Sequence, residues 1–152
     1  MKQALPGSGL YAITDTGVTG DIAEAVEQAI LGGARMIQYR EKHLRGANLE
    51  ATAARLATLC RHHGVPLIIN DDIGLAARCD PSGVHLGRAD SRLHVPPEQP
   101  GDEAIIGISC YDSLERARAA QKAGADYAAF GRFYTSPTKP DAVQATPELL
   151  LR

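Results

Sequence analysis

Tryptophan is absent from this chain of 152 residues, and phenylalanine occurs only twice. A core with so few large rings must be built from aliphatic side chains and alanine, which suits helices packed closely on a sheet. Cysteine is scarce too: Cys60, Cys79 and Cys110 are odd in number, widely spaced and form no C-x-x-C pair. That pattern excludes a disulfide framework and a thiolate zinc site, and it fits reduced thiols in a cytoplasmic protein. There is no excess of either charge, with 16 Lys and Arg against 18 Asp and Glu. The basic footprint of a nucleic-acid or membrane-surface binder is therefore missing. No apolar run reaches the roughly 18 residues of a membrane span, and Met1-Lys2-Gln3-Ala4-Leu5-Pro6 lacks the apolar stretch of a signal peptide. No Pro/Gly/Ser linker divides the chain, so a single domain over residues 1–152 is expected.

What is present is an alternation. Short apolar runs occur at Leu10–Ile13, Met36–Tyr39, Leu67–Ile69, Gly83–Leu86, Ala104–Ile108 and Tyr127–Phe130. Their length is that of buried parallel strands. Between them, Asp21–Leu31 and Asn48–His62 carry apolar residues at helical spacing, Ser113–Lys122 reads as a helix with Ser113 as its N-cap, and a short helix is expected over Ile73–Arg78. Gly32-Gly33, Gly64 and Gly124 sit where a helix must stop and turn into the next strand. The alternation predicts a parallel α/β fold. No G-x-G-x-x-G follows the first strand, which weakens a dinucleotide-binding sheet. Polar residues gather at the carboxyl end of nearly every strand, as they do where strands converge on the mouth of a barrel.

Those strand ends hold the candidate chemistry. The second strand closes on Gln38-Tyr39-Arg40-Glu41-Lys42, where alternation places Gln38 and Arg40 on one face. Arginine as a fork and lysine as a point charge suit a phosphorylated ligand; the plain alternative is a solvated turn. The third strand closes on Asn70-Asp71-Asp72 and the fourth on His85-Leu86-Gly87-Arg88-Ala89-Asp90. Asp71 and Asp90, on neighbouring strands, could share a Mg²⁺ ion with ligand oxygens, while Asp71 or Asp72 could instead cap the helix that follows. Ser109 ends the fifth strand, and the sixth runs into a loop bearing Ser136, Thr138 and Lys139, a hydroxyl and cation set able to cradle pyrophosphate.

In order and at barrel spacing, Q-Y-R-E-K (38–42), N-D-D (70–72), G-V-H-L-G-R-A-D (83–90), I-G-I-S (106–109) and S-P-T-K (136–139) resemble the family of thiamine-phosphate synthases and thiazole tautomerases. The resemblance implies a (β/α)8 barrel of the TIM class. It also implies a transferase that couples hydroxymethylpyrimidine pyrophosphate to a thiazole phosphate, giving thiamine phosphate and pyrophosphate. Arg40, Lys42 and Asn70 would hold the pyrophosphate and Gln38 the pyrimidine. Ser109 would lie near both, Asp71 and Asp90 would hold Mg²⁺, and Ser136, Thr138 and Lys139 would serve the thiazole phosphate and the leaving group. Arg40, Lys139 and Ser109 would carry the chemistry.

Two departures stand out. Where the tautomerase has a histidine two residues after the strand-five serine, this chain has Tyr111. The runs above also give only six strands of eight, with Leu149-Leu150-Leu151 expected to open a sixth large helix. A C-terminally truncated barrel, closed by self-association or a completing chain, is the expectation. A non-catalytic fragment, a ligand-binding regulatory domain and a tautomerase-like isomerase are the alternatives.

Overall fold

In the computed structural model the described residues are 4–15, 17, 20–87, 103–135, 137 and 140–151. The aliphatic runs form strands β1 (Leu10–Ile13), β2 (Ala34–Tyr39), β3 (Leu67–Asn70), β4 (Gly83–Leu86), β5 (Ile105–Tyr111) and β6 (Tyr127–Phe130). Helices α1 (Ile22–Leu31), α2 (Gly46–His62), α3 (Ile73–Cys79) and α4 (Leu114–Lys122) separate them, and a 3₁₀ helix covers Pro147–Leu151. The sheet order is β1-β2-β3-β4-β5-β6. β1–β2, β2–β3, β3–β4 and β5–β6 pair in parallel. A doubly wound sheet reverses direction at its first strand. This order never reverses, which is how a barrel is wound.

The chain forms two compact units. The first runs to His85 and takes in Ile105; the second holds Leu86, Gly87 and everything described from Ile106 onward. In the first, Ile37, Leu56, Leu67, Ile68, Ile69 and Val84 are fully buried. In the second, Ile106, Ile108, Cys110, Ala120 and Ala145 are buried. No helix among the described residues is long and apolar enough to cross a membrane.

Local chemistry accounts for the element ends. Asp21 caps α1 by accepting from the Ala23 N–H at 2.9 Å, and Ser113 caps α4 by accepting from the Arg116 N–H at 3.1 Å. The exits from α2 and α4 are alike. Gly64 (φ +68°) and Gly124 (φ +90°) take the left-handed turn, and the next residues donate back five positions, Val65 to Cys60 and Ala125 to Ala120. Those bonds satisfy carbonyls that the helix end would leave open. At Gly107 the constraint is space, because a Cβ there would land on the Tyr127 ring.

Several boundaries differ from the sequence reading. α2 starts at Gly46 rather than Asn48, with Arg45 at the cap position and no side-chain cap. β5 continues past Ile108 to Tyr111, so Ser109 and Cys110 lie within the strand. The leucine run at 149–151 is a 3₁₀ helix, the tighter form common in short helical pieces.

The three cysteines are free and buried. Burial pushes the Cys60 thiol from 9.0 up to about 11. Burial, and then the Glu41 charge, push the Tyr39 phenol up to about 12; its hydroxyl lies beside Thr52 yet closes no hydrogen bond. An unfolded chain releases the Cys60 proton near pH 9 while the folded chain keeps it until about 11. The corresponding stability is complete below pH 9 and is lost as pH rises through that window. Chemical denaturation of Cys60→Ala is therefore expected to show a shallower decline between pH 9 and 11 than the parent; parallel profiles would refute the assignment. Tyr39→Phe, which removes a buried unpaired hydroxyl, is expected not to lower stability.

Candidate functional site

The first group of polar residues stands at the carboxyl ends of β2 and β3. Tyr39 pairs with Ile69, so Arg40 and Asn70 lie one step beyond on neighbouring strands. Gln38 is 3% exposed, and its Nε2 donates to the Tyr11 hydroxyl on β1 at 2.8 Å. Arg40 is half-buried and Lys42 exposed. The Arg40 backbone is held from both sides by one hydroxyl: its N–H donates to Thr14 Oγ1 at 2.9 Å, and that hydroxyl donates to the Arg40 carbonyl at 3.1 Å. Glu41, in the middle of the motif, is bonded to the loop that follows it. Burial works to raise its pKa, but backbone N–H donors from His43, Leu44 and Lys42 outweigh it and leave the carboxyl lowered. Glu41 Oε1 accepts from His43 N at 2.6 Å and from Leu44 N at 3.2 Å, which folds the loop that carries Lys42.

At the end of β3 the two adjacent aspartates divide their roles. Asp72 Oδ1 accepts from the Leu75 N–H at 2.7 Å and caps α3. Asp71 sits in a left-handed turn (φ 60°), exposed, with Asn70 Nδ2 donating to its Oδ2 at 2.9 Å and its own N–H donating to the His85 carbonyl at 2.8 Å. Non-glycine residues adopt that backbone region seldom, with asparagine and aspartate the usual exceptions. His85, in register with Asn70, is buried.

In the second unit Ser109 is half-buried on β5, in register with Ala129. The loop after β6 is fastened at its base by Arg132, whose Nε donates to the Ala142 carbonyl at 2.9 Å and whose Nη2 donates to the Pro140 carbonyl at 3.0 Å. Of the residues singled out in the sequence, Gln38, Arg40, Lys42, Asn70 and Asp71 come together at adjacent strand ends, and Ser109 belongs to the other unit. Asp90, Ser136, Thr138 and Lys139 lie outside the described residues. Among the described residues no three His, Cys, Asp or Glu side chains gather in a metal cage.

Sequence reasoning missed Thr14, Tyr11 and Arg116. A threonine one residue beyond a strand gives no signal on its own, because its bond reaches Arg40, 26 residues away. An apolar cavity of about 140 Å³ between β1 and α1, lined by Ile13, Ile22, Val26, Ala29 and Ile37, holds no charged side chain and is unsuited to a phosphorylated ligand.

Comparison with known proteins identifies the family. The family model for thiamine monophosphate synthase matches residues 10–151. The thiamine-phosphate synthase of Thiobacillus denitrificans is 49% identical over 151 residues, covering 99% of this chain and 71% of that protein. The thiamine-phosphate synthase of Methylococcus capsulatus is also 49% identical over 151 residues, covering 99% and 67%. Among solved structures, a thiamine phosphate pyrophosphorylase from Pyrococcus furiosus superposes with a TM-score of 0.77 at 33% identity, over 90% of this chain and 65% of that one. A 3-hexulose-6-phosphate synthase superposes at 0.50 with 17% identity, a likeness of fold alone. The chain thus spans about two thirds of the length of the proteins it matches. Its fold is α/β, of the (β/α)8 TIM-barrel class, with six strands described here.

The split between the two aspartates is open to measurement. Asp72→Ala is expected to cost about 1 kcal/mol of stability through loss of the α3 cap. Asp71→Gly should stay within about 0.5 kcal/mol of the parent, because glycine relieves the left-handed turn while adding unfolded-state entropy. Equal losses in urea denaturation would mean that Asp71 is a structural residue.

Proposed function

The chain belongs to the thiamine monophosphate synthase family, and from that membership we propose that it serves in thiamine biosynthesis. In this reading it is the thiamine-phosphate synthase transferase, joining hydroxymethylpyrimidine pyrophosphate to a thiazole phosphate with release of pyrophosphate. The observation that carries the reading is the array of Gln38, Arg40, Lys42, Asn70 and Asp71 at adjacent strand ends, inside a match that extends over residues 10–151.

In the proposed reaction the bond between the pyrimidine methylene carbon and the pyrophosphate oxygen breaks, and its electron pair leaves with pyrophosphate. The thiazole nitrogen then donates its lone pair to the pyrimidine-methyl cation, forming the new C–N bond. Neither step calls for an acid–base pair; the demand is for positive charge fixed where the leaving group becomes negative. Arg40 meets it with a backbone locked by Thr14, so its guanidinium starts from a fixed strand end. Lys42 and Asn70 are assigned to the same pyrophosphate, Gln38 and Ser109 to the pyrimidine side. Ser136, Thr138 and Lys139 are assigned to the thiazole phosphate and the departing charge.

Mg²⁺ belongs to this reading, with Asp71 and Asp90 as its carboxylates. The fit at Asp71 rests on an exposed carboxylate held in a left-handed turn by Asn70 and kept apart from the capping duty of Asp72. Mg²⁺ takes one or two carboxylates alongside substrate phosphate, and when bound it would offset diphosphate charge. A cytoplasmic location is included, supported by three free cysteines. So is a single barrel domain. The outer side of β1, where Leu10 and Ile13 are 60% and 56% exposed, is the surface at which a second copy or a completing chain would associate.

Calorimetry is expected to detect Mg²⁺-dependent binding of hydroxymethylpyrimidine pyrophosphate, weakened by roughly ten- to a hundredfold in Arg40→Ala, the loss of a charge-assisted hydrogen bond. Asp71→Ala should weaken the Mg²⁺-dependent part alone. A chimera joining residues 1–151 to the remaining third of the Thiobacillus relative is expected to form thiamine phosphate. If it binds both substrates and makes no product, the synthase reading fails.

A further inference from the structure

Arg116 has no part in the reading above, yet it is tied into the strand end that carries Ser109. Its Nε donates to the Ser109 carbonyl at 2.7 Å, and its Nη2 donates to the Gly87 carbonyl, just past the end of β4, at 3.3 Å. The guanidinium carbon lies 5.8 Å from the centroid of the Tyr111 ring. Its backbone is fixed as well, because the Arg116 N–H donates to the capping hydroxyl of Ser113, whose own N–H donates to the Cys110 carbonyl at 2.9 Å. The strand end it grips is irregular: the pairing of β5 with β6 slips between Ser109 and Tyr111, and Tyr111 takes a left-handed φ of 56°.

These contacts have a single geometric effect. At the slip in the ladder the Arg116 guanidinium adds a side-chain donor to the Ser109 carbonyl, from a helix turn that is itself capped. With the Ser109 carbonyl fixed, the Ser109 Cα–Cβ direction is fixed, and with it the arc over which the hydroxyl can swing. Arginine suits the task because its planar fork can donate to two carbonyls at once, whereas lysine is a point donor on a flexible stem.

We infer that Arg116 is the positioning residue for Ser109, aiming the serine hydroxyl at the pyrimidine pyrophosphate. This rests on the proposed function, in which Ser109 meets that ligand. A double-mutant cycle tests it. Binding of hydroxymethylpyrimidine pyrophosphate with Mg²⁺ is measured by calorimetry for the parent, Ser109→Ala, Arg116→Met and the double variant, with thermal unfolding recorded for each. Ser109→Ala is expected to weaken binding by about tenfold, the worth of one hydrogen bond. Arg116→Met should weaken it comparably, and the double variant should be no weaker than either single one. Arg116→Lys, which keeps the charge but not the fork, is expected to remain impaired; it also stands in should Arg116→Met not fold. If the Arg116 loss adds in full to the Ser109 loss, or Arg116→Lys binds like the parent, the positioning role is overturned while the ligand reading stands. If Ser109→Ala binds like the parent, the positioning role falls. Arg40→Ala measured beside it then shows whether the pyrophosphate reading falls too.

Discussion

Where a parallel strand ends, its hydrogen-bond ladder stops, and the backbone groups of the last residues must find partners elsewhere. That requirement is met by side chains or neighbouring carbonyls at several of the residues described here. Thr14 takes both backbone groups of Arg40. The His85 carbonyl takes the Asp71 N–H. Arg116 takes the Ser109 and Gly87 carbonyls, and Arg132 those of Ala142 and Pro140. The backbones of Arg40 and Ser109, two of the residues proposed to meet a ligand, are thus held by side chains committed to them. A loop could present the same residue types, but it would carry more conformational entropy into binding, and a ligand would have to order it.

The same constraint explains how identical residues in adjacent positions come to do different work. Asp71 and Asp72 share a charge, yet Asp72 closes the first turn of α3 and Asp71 stands in a left-handed backbone turn. Glu41 lies between the two cations of its motif, but three backbone N–H groups hold its carboxyl and withdraw it from them. Were Glu41 free to pair with Arg40 or Lys42, it would offset the positive charge that a diphosphate requires. Committing it to the loop keeps that charge available.

Much of this could be read from the chain before its structure. Strand positions follow from short aliphatic runs, and the α2 and α4 exits from Gly64 and Gly124, because those signals are local. The capping role of Ser113 was legible for the same reason. The choice between Asp71 and Asp72 was not, since either could cap, and the left-handed backbone at Asp71 and the Asp72 bond to Leu75 separate them only in the fold. Thr14 and Tyr11 escaped because their partners lie 26 and 27 residues away, and no pattern within one strand records the register between two. Arg116 escaped for a related reason. It occupies an ordinary position in a helix rich in charged residues, and its reach to Gly87 crosses 29 residues of chain.

Tyr111 brings these strands together. It stands where the tautomerase branch of the family places a histidine, and the structure gives it a left-handed backbone with the Arg116 guanidinium over its ring. A neighbouring permanent cation would disfavour the protonated form of any imidazole in that place. What marks the position is a ring packed under a cation, with no imidazole. That arrangement suits a reaction whose barrier lies in separating pyrophosphate from a carbocation, where fixed positive charge is the main requirement. It ill suits an isomerisation that must move a proton twice. The replacement at Tyr111 and the grip of Arg116 beside it favour the same branch of chemistry, for the same electrostatic reason.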